Sequence, residues 1–102
     1  MRHTPDQIHQ FIDLIGYSQR EAVNLTDTRI QMTQQALRDG SCKPNIGNGL
    51  DHVYKVIAHA GKHSQGGRGV LKHAIQQYLE QRGFDHYQDM TNGVFLVRLQ
   101  AR

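Results

Sequence analysis

Apolar positions along this chain recur with two periods, and each change of period marks an element. Phe11 to Leu14 reads as a short strand. Tyr17-Ser18-Gln19-Arg20-Glu21 then forms a capping box, with Ser18 as N-cap and Glu21 three residues on. The helix it opens runs to Asp39, where Gly40 supplies a C-terminal stop. At about 100° per residue, Ala22, Leu25, Ile30, Met32, Ala36 and Leu37 fall in one broad arc. Thr26, Arg29 and Thr33 lie in the same arc, so the face is weakly apolar and Arg29 is expected to snorkel its head to the helix edge.

Residues 41–51 make a loop longer than a minimal helix-to-strand connection. His52 to His59 reads as a second strand, in which Val53, Val56 and Ile57 suggest a buried segment rather than clean alternation. Val70, Leu71, Ala74, Ile75, Tyr78 and Leu79 repeat at helical spacing and predict a second helix from Val70 to Arg82, ended by Gly83. Phe84 to Met90 and Val94 to Leu99 form a hairpin around Asn92-Gly93. In its last strand Phe95, Val97 and Leu99 point one way, and Val94, Leu96 and Arg98 the other.

The order is therefore β-α-β-α-β-β. Two βαβ-type connections imply parallel pairing with right-handed crossovers, and the hairpin adds an antiparallel edge. The expected fold is an α/β (α+β) two-layer sandwich, a four-stranded mixed sheet with both helices on one face. Residues 1–9 form a polar lead-in and residues 10–102 a single domain. A chain of 102 residues can bury one core without staples. Cys42 is alone, which rules out an intramolecular disulfide and a cysteine-based zinc site and suggests a reduced intracellular thiol. No apolar run reaches the length of a membrane span, and the N-terminus lacks a signal core. An intracellular, cytoplasmic domain is expected, monomeric, whether alone or part of a larger protein.

Net charge is only +3, but its distribution is uneven. Residues 55–82 hold five basic groups (Lys55, Lys62, Arg68, Lys72 and Arg82) against Glu80, while residues 1–40 hold four basic and five acidic ones. The positive segment contains the run from Val56 to Gly69, where an apolar strand breaks into a glycine-rich loop that opens directly into the second helix. Backbone N–H groups and basic side chains gathered at a helix N-terminus favour an anion, and phosphate is the obvious one. A plain strand-to-helix connector has the same glycines and stays open as a reading. Seven histidines could add charge below about pH 6.5; His3, His9 and His86 read as scattered and solvated.

Gly61-Lys62-His63-Ser64-Gln65-Gly66-Gly67, followed by Val70-Leu71-Lys72, resembles the second half of a Smr (small MutS-related) domain. Ile12-Asp13-Leu14-Ile15-Gly16 resembles that family's Leu-Asp-Leu-His-Gly opening, with Glu21-Ala22 at the expected distance, and Gly93 to Leu99 resembles its closing strand. The likeness covers about residues 10–100. It implies nucleic-acid binding and endonuclease chemistry on DNA or RNA. Two turns are associated with that chemistry, and in a parallel βαβ unit both sit at the carboxyl ends of their strands. The chain departs from the pattern at both. Ile15 stands where the first turn has histidine, and in Ala58-His59-Ala60-Gly61 only the last glycine is kept, with Ala60 in place of a basic residue. Those changes remove a proton-transfer group and a cation for phosphorane charge.

Three catalytic candidates remain, Asp13 with His59 or His63, which could act without metal on RNA through its 2′-hydroxyl. The same three could in principle hold a divalent cation, but the histidine spacing suits a helix and this segment is loop, so no metal and no cofactor is expected. The simpler reading, and the favoured one, makes Asp13 a turn cap and His59 a strand-end packing residue. Lys62, Ser64, Arg68 and Lys72, with amides of Gly66 and Gly67, make the expected phosphate-binding surface, and Tyr17 could stack on a base. RNA or DNA is the expected partner, RNA favoured, read by backbone and shape, with the ribosome as one such surface. Ile15, if exposed, would alternatively dock a protein.

Overall fold

The computed structural model describes residues 8–46, 51–58, 70–89 and 93–100, with backbone only at Val70. The elements in chain order are β1 (Phe11–Asp13), α1 (Gln19–Asp39), β2 (Asp51–Ile57), α2 (Val70–Arg82), β3 (Asp85–Asp89) and β4 (Val94–Gln100). They form a four-stranded mixed sheet with two helices packed on one face.

Local chemistry sets the start of α1 and the end of both helices. Ser18 accepts a hydrogen bond from the Glu21 N–H at 3.2 Å, while the Glu21 carboxylate accepts from the Ser18 N–H at 3.0 Å. Gly40 ends α1 in the left-handed region, at φ 87°. At the end of α2 the Phe84 N–H reaches the Leu79 carbonyl and the Gly83 N–H reaches that of Glu80, the paired bonds of a Schellman motif.

The sheet order is β1-β2-β4-β3. β1 and β2 are parallel, with Ile12 opposite Val56, whereas β4 is antiparallel to both its neighbours. The second crossover therefore does not create a second parallel pair, because β4 inserts between β2 and β3. Burial explains the order. β4 carries apolar side chains on both faces and suits the interior of the sheet, while Asp-His-Tyr-Gln-Asp of β3 suits an edge.

Ile12 and Leu14, Tyr54 and Val56, and Phe95, Val97 and Leu99 face the helices and pack on Ala22, Ile30, Ala36, Leu37, Ile75 and Leu79. β2 alternates cleanly, against the sequence expectation: His52, Tyr54 and Val56 are buried, and Val53 and Ile57 lie half-buried on the open face. His52 can face inward because its Nε2 donates to the His9 carbonyl at 2.6 Å. His9 and His86 are half-buried and partnered rather than simply solvated. His9 Nδ1 meets the Thr33 hydroxyl at 3.1 Å, and the half-buried His86 ring packs against Phe95.

On α1, Thr26 and Thr33 are fully buried while Met32 is exposed. Thr26 satisfies its hydroxyl by donating to the Ala22 carbonyl at 2.8 Å. Between the helices, the Tyr78 hydroxyl donates to the Asp27 carboxylate at 2.7 Å, with Arg82 3.5 Å from the same oxygen. Burial, reinforced by that carboxylate, pushes the Tyr78 phenol up from its ordinary value. This cluster fixes α2 against α1. Among the described residues no helix is long and apolar enough to cross a membrane.

Candidate nucleic-acid interface

The parallel pairing of β1 and β2 brings the segments that follow them to one end of the sheet. Pairing extends one residue past β1, since the Leu14 N–H donates to the Ile57 carbonyl at 2.9 Å. The chain then reverses through Leu14-Ile15-Gly16-Tyr17, closed by a 3.2 Å bond from the Tyr17 N–H to the Leu14 carbonyl. Gly16 has φ 94° and Ile15 does not have a positive φ, the signs a type II turn requires at its two central positions. Ser18 follows at once as the cap of α1, so turn and helix are a single rigid connection.

Asp13 accepts a hydrogen bond from the Ile15 N–H at 3.0 Å. This two-residue reach is an Asx turn, and it commits one carboxylate oxygen to holding the backbone. The Ile15 side chain stands at the tip of the turn and is 44% exposed, where the family's pattern has histidine. Nothing at that position can donate, accept or ligate.

On the β2 side, Ala58 is buried and its N–H donates to the Gly93 carbonyl at 2.8 Å, which ties the strand end to the β3–β4 hairpin. His59, Lys62, His63, Ser64, Gly66, Gly67 and Arg68 lie outside the described residues, as do Ala60 and Gly61. The chain leaves the described region beside the first turn, at Ala58, and returns at Val70, the first residue of α2. Lys72 is in the first turn of α2 and half-exposed. Of the residues singled out from the sequence, Asp13 and Tyr17 are thus placed on the first turn and Lys72 at the start of α2.

Tyr17, 45% exposed, lines a groove with Phe11 and Arg29 that the sequence did not reveal. Arg29 does not snorkel clear of the protein; it is half-buried in this groove beside the Tyr54 hydroxyl. Burial pushes the Tyr54 phenol up to about 12, and Arg29 offsets only part of that rise. The sequence signal that could have found the groove was Phe11 and Tyr17, two aromatic residues flanking the strand end and its turn.

No family model matches the sequence, and no curated protein sequence matches it. Solved structures do. The solution structure of the B3BP Smr domain superposes with a TM-score of 0.68 at 25% identity, covering 91% of this chain and 80% of that one. The crystal structure of the human small-MutS related domain gives a TM-score of 0.63 at 26% identity, covering 86% of this chain and 98% of the other. In its element order and its mixed sheet, across most of its length, the chain has the fold of these two Smr domains, the family its sequence resembles.

Proposed function

We propose that this domain binds nucleic acid, RNA in preference to DNA, and that its endonuclease activity is lost or much reduced. The observation that carries the reading is the first turn. Its aspartate is engaged by the Ile15 N–H, and its tip presents an aliphatic side chain where proton transfer would need an imidazole. A general acid or base contributes a factor of about 10²–10⁴ in rate, so its removal alone would slow cleavage by that factor. Binding needs less. Lys72 is half-exposed at the start of α2, and Lys62 and Arg68 belong to the segment that precedes it. Their charges favour a phosphate backbone whatever the state of the chemistry. Recognition by backbone and shape suits a structured RNA or a ribosomal surface. We read the domain as monomeric, intracellular and cytoplasmic.

The test is a nuclease assay of this domain beside an Ile15→His, Ala60→Arg variant on labelled RNA and on supercoiled plasmid. The variant should cleave and the unaltered domain should not; equal activity would mean that the active site lies elsewhere. A salt titration supplies the binding half. Lys62→Ala, Arg68→Ala and Lys72→Ala together should weaken affinity and flatten its salt dependence. Unchanged affinity and slope would refute the basic surface. A second reading has one observation in its favour: the exposed Ile15 could dock a protein, making the domain an interaction module. Stable co-purification of a protein, with no measurable nucleic-acid affinity at low salt, would decide for it. Residual cleavage abolished by Asp13→Asn would instead restore Asp13, with His59 or His63, as an active centre.

A further inference from the structure

The groove beside the first turn is built differently from the basic surface and calls for a different ligand group. It runs along the edge of β1 that no described strand pairs, and is lined by Ile8, Phe11, Asp13, Tyr17, Leu25 and Arg29. Its cavity volume is about 190 Å3, below the roughly 300 Å3 at which pockets begin to enclose a drug-sized ligand. It can therefore take one flat ring rather than a whole small molecule. Phe11 and Tyr17 are 40% and 45% exposed, so two aromatic rings are presented to solvent at the same opening. Inside it lies the half-buried Arg29, which has no acidic partner among the described residues.

We propose that this groove takes an unpaired nucleobase, stacked on Tyr17 and Phe11, with Arg29 held for the phosphate or the electron-rich edge of that nucleotide. The proposal rests on the nucleic-acid reading above and narrows it: the polynucleotide must be single-stranded at this point, because a paired base cannot leave its stack without an added cost. Aromatic rings serve any base, since every base has a π-face, so the groove selects for strandedness more than for sequence. A cation beside the rings adds to stacking and complements the backbone charge. The position is consistent with the rest of the interface. Tyr17 closes the turn that carries Asp13 and Ile15, so a base in the groove would place its neighbouring phosphates along the end of the sheet.

A peptide strand added to the edge of β1 is the rival occupant, and the structure disfavours it. β1 has three residues, so only Phe11 and Asp13 offer outward backbone groups for a ladder. An aliphatic peptide would also leave Arg29 buried without a counter-charge.

The experiment is a fluorescence titration of the domain with a single-stranded RNA carrying one 2-aminopurine, and with the blunt duplex of the same strand, at one low salt concentration. The single strand should bind more tightly than the duplex, with the 2-aminopurine signal quenched on binding. Tyr17→Ala should weaken the single strand by about tenfold and abolish the quench, as loss of one base–aromatic stack does, while leaving the duplex unchanged. Tyr17→Phe should keep both affinity and quench. Arg29→Gln should weaken the single strand further than the duplex, and Lys72→Ala should weaken the two alike. Phe11 and Tyr17 are surface residues, so an unchanged circular dichroism melt confirms that their variants are folded. If Tyr17→Ala and Phe11→Ala both hold single-strand affinity within twofold while Lys72→Ala lowers it, the groove proposal is overturned, binding by the domain stands, and a peptide becomes the occupant to pursue. If the unaltered domain binds neither RNA, the proposal falls together with the reading beneath it.

Discussion

Gly16 is where the fold and the candidate interface meet, and replacing it by alanine separates the two. Its φ of +94° lies in the left-handed region, and a Cβ built there would meet no heavy atom within 4 Å. The cost of Gly16→Ala is therefore conformational, about 1–2 kcal/mol for an L-residue held left-handed. The alanine also loses less entropy on folding, which returns about 0.4–1 kcal/mol. The net is about 1 kcal/mol, or a fall in Tm of about 4–8 °C for a domain of this size. Gly40→Ala is the matched control. Gly40 has φ +87° and equally open surroundings, but it caps the far end of α1. Calorimetry should give the two variants similar losses of Tm. Affinity for single-stranded RNA, measured well below both melting points, should fall only for Gly16→Ala, because only that turn positions Asp13, Ile15 and Tyr17. Gly16→Asn should be milder in both respects, since asparagine visits the left-handed region more readily. A Tm of Gly16→Ala within 1 °C of the parent (a bound of about a quarter of the smallest shift expected) would refute the conformational argument. Equal loss of RNA affinity in both variants would refute the assignment of the interface.

Tyr78→Phe removes the 2.7 Å bond to Asp27, which keeps Gln31 at 2.9 Å and Arg82 at 3.5 Å. The loss should fall at the low end for a bond to a charged group, about 1.5 kcal/mol by urea denaturation at neutral pH; a change below the error of the midpoint would mean that the cluster is solvated. Both Tyr54, pushed up to about 12, and Tyr78, also raised, keep their proton more firmly folded than unfolded. Their contribution is thus complete below the unfolded phenol value of about 10 and lost as pH rises through the folded values. Urea midpoints should fall between pH 9 and pH 11 in the parent and much less in Tyr54→Phe, Tyr78→Phe; parallel pH profiles would contradict this. Ser18→Ala breaks the capping box and should cost about 1 kcal/mol, read from the urea midpoint, whereas a neutral effect would show that water replaces the cap.

What the sequence made legible was local. The capping box at Ser18, the glycines at 40 and 83, and the helical repeat from Leu71 to Leu79 each have a short-range cause, and α1 starts and both helices stop where those causes act. The strand order and the faces of β2 were not legible, for a physical reason. A buried histidine and a buried tyrosine reverse the usual polarity of alternation, and His52 is buried because a carbonyl 43 residues away in the chain accepts its proton. Met32 and the two threonines of α1 show the same effect: hydroxyl groups that find partners can replace methionine in the core. At the interface, Asp13 and Tyr17 could be read because they flank a turn with its own signature. Arg29 could not, since its meaning depends on how closely α1 approaches the outer edge of β1.

This difference bears on how a degenerate motif should be read. Asp13 matches its family position, which invites the inference that chemistry requires it. Its observed bond to the Ile15 N–H gives a sufficient reason that involves no chemistry: without an acceptor there, the turn would lose the bond that orients its first peptide. Gly16 is required by the same turn through its φ. The histidine position is different, because a side chain at the tip of the turn is exposed and holds nothing in the fold. The fold thus accounts for two of the three signature residues, and the third is the one that changes to isoleucine here. Keeping Asp13 and Gly16 is therefore explained by the turn alone, and only the exposed position bears on the chemistry, which is why the nuclease assay of Ile15→His, Ala60→Arg and not the presence of Asp13 decides whether cleavage is retained.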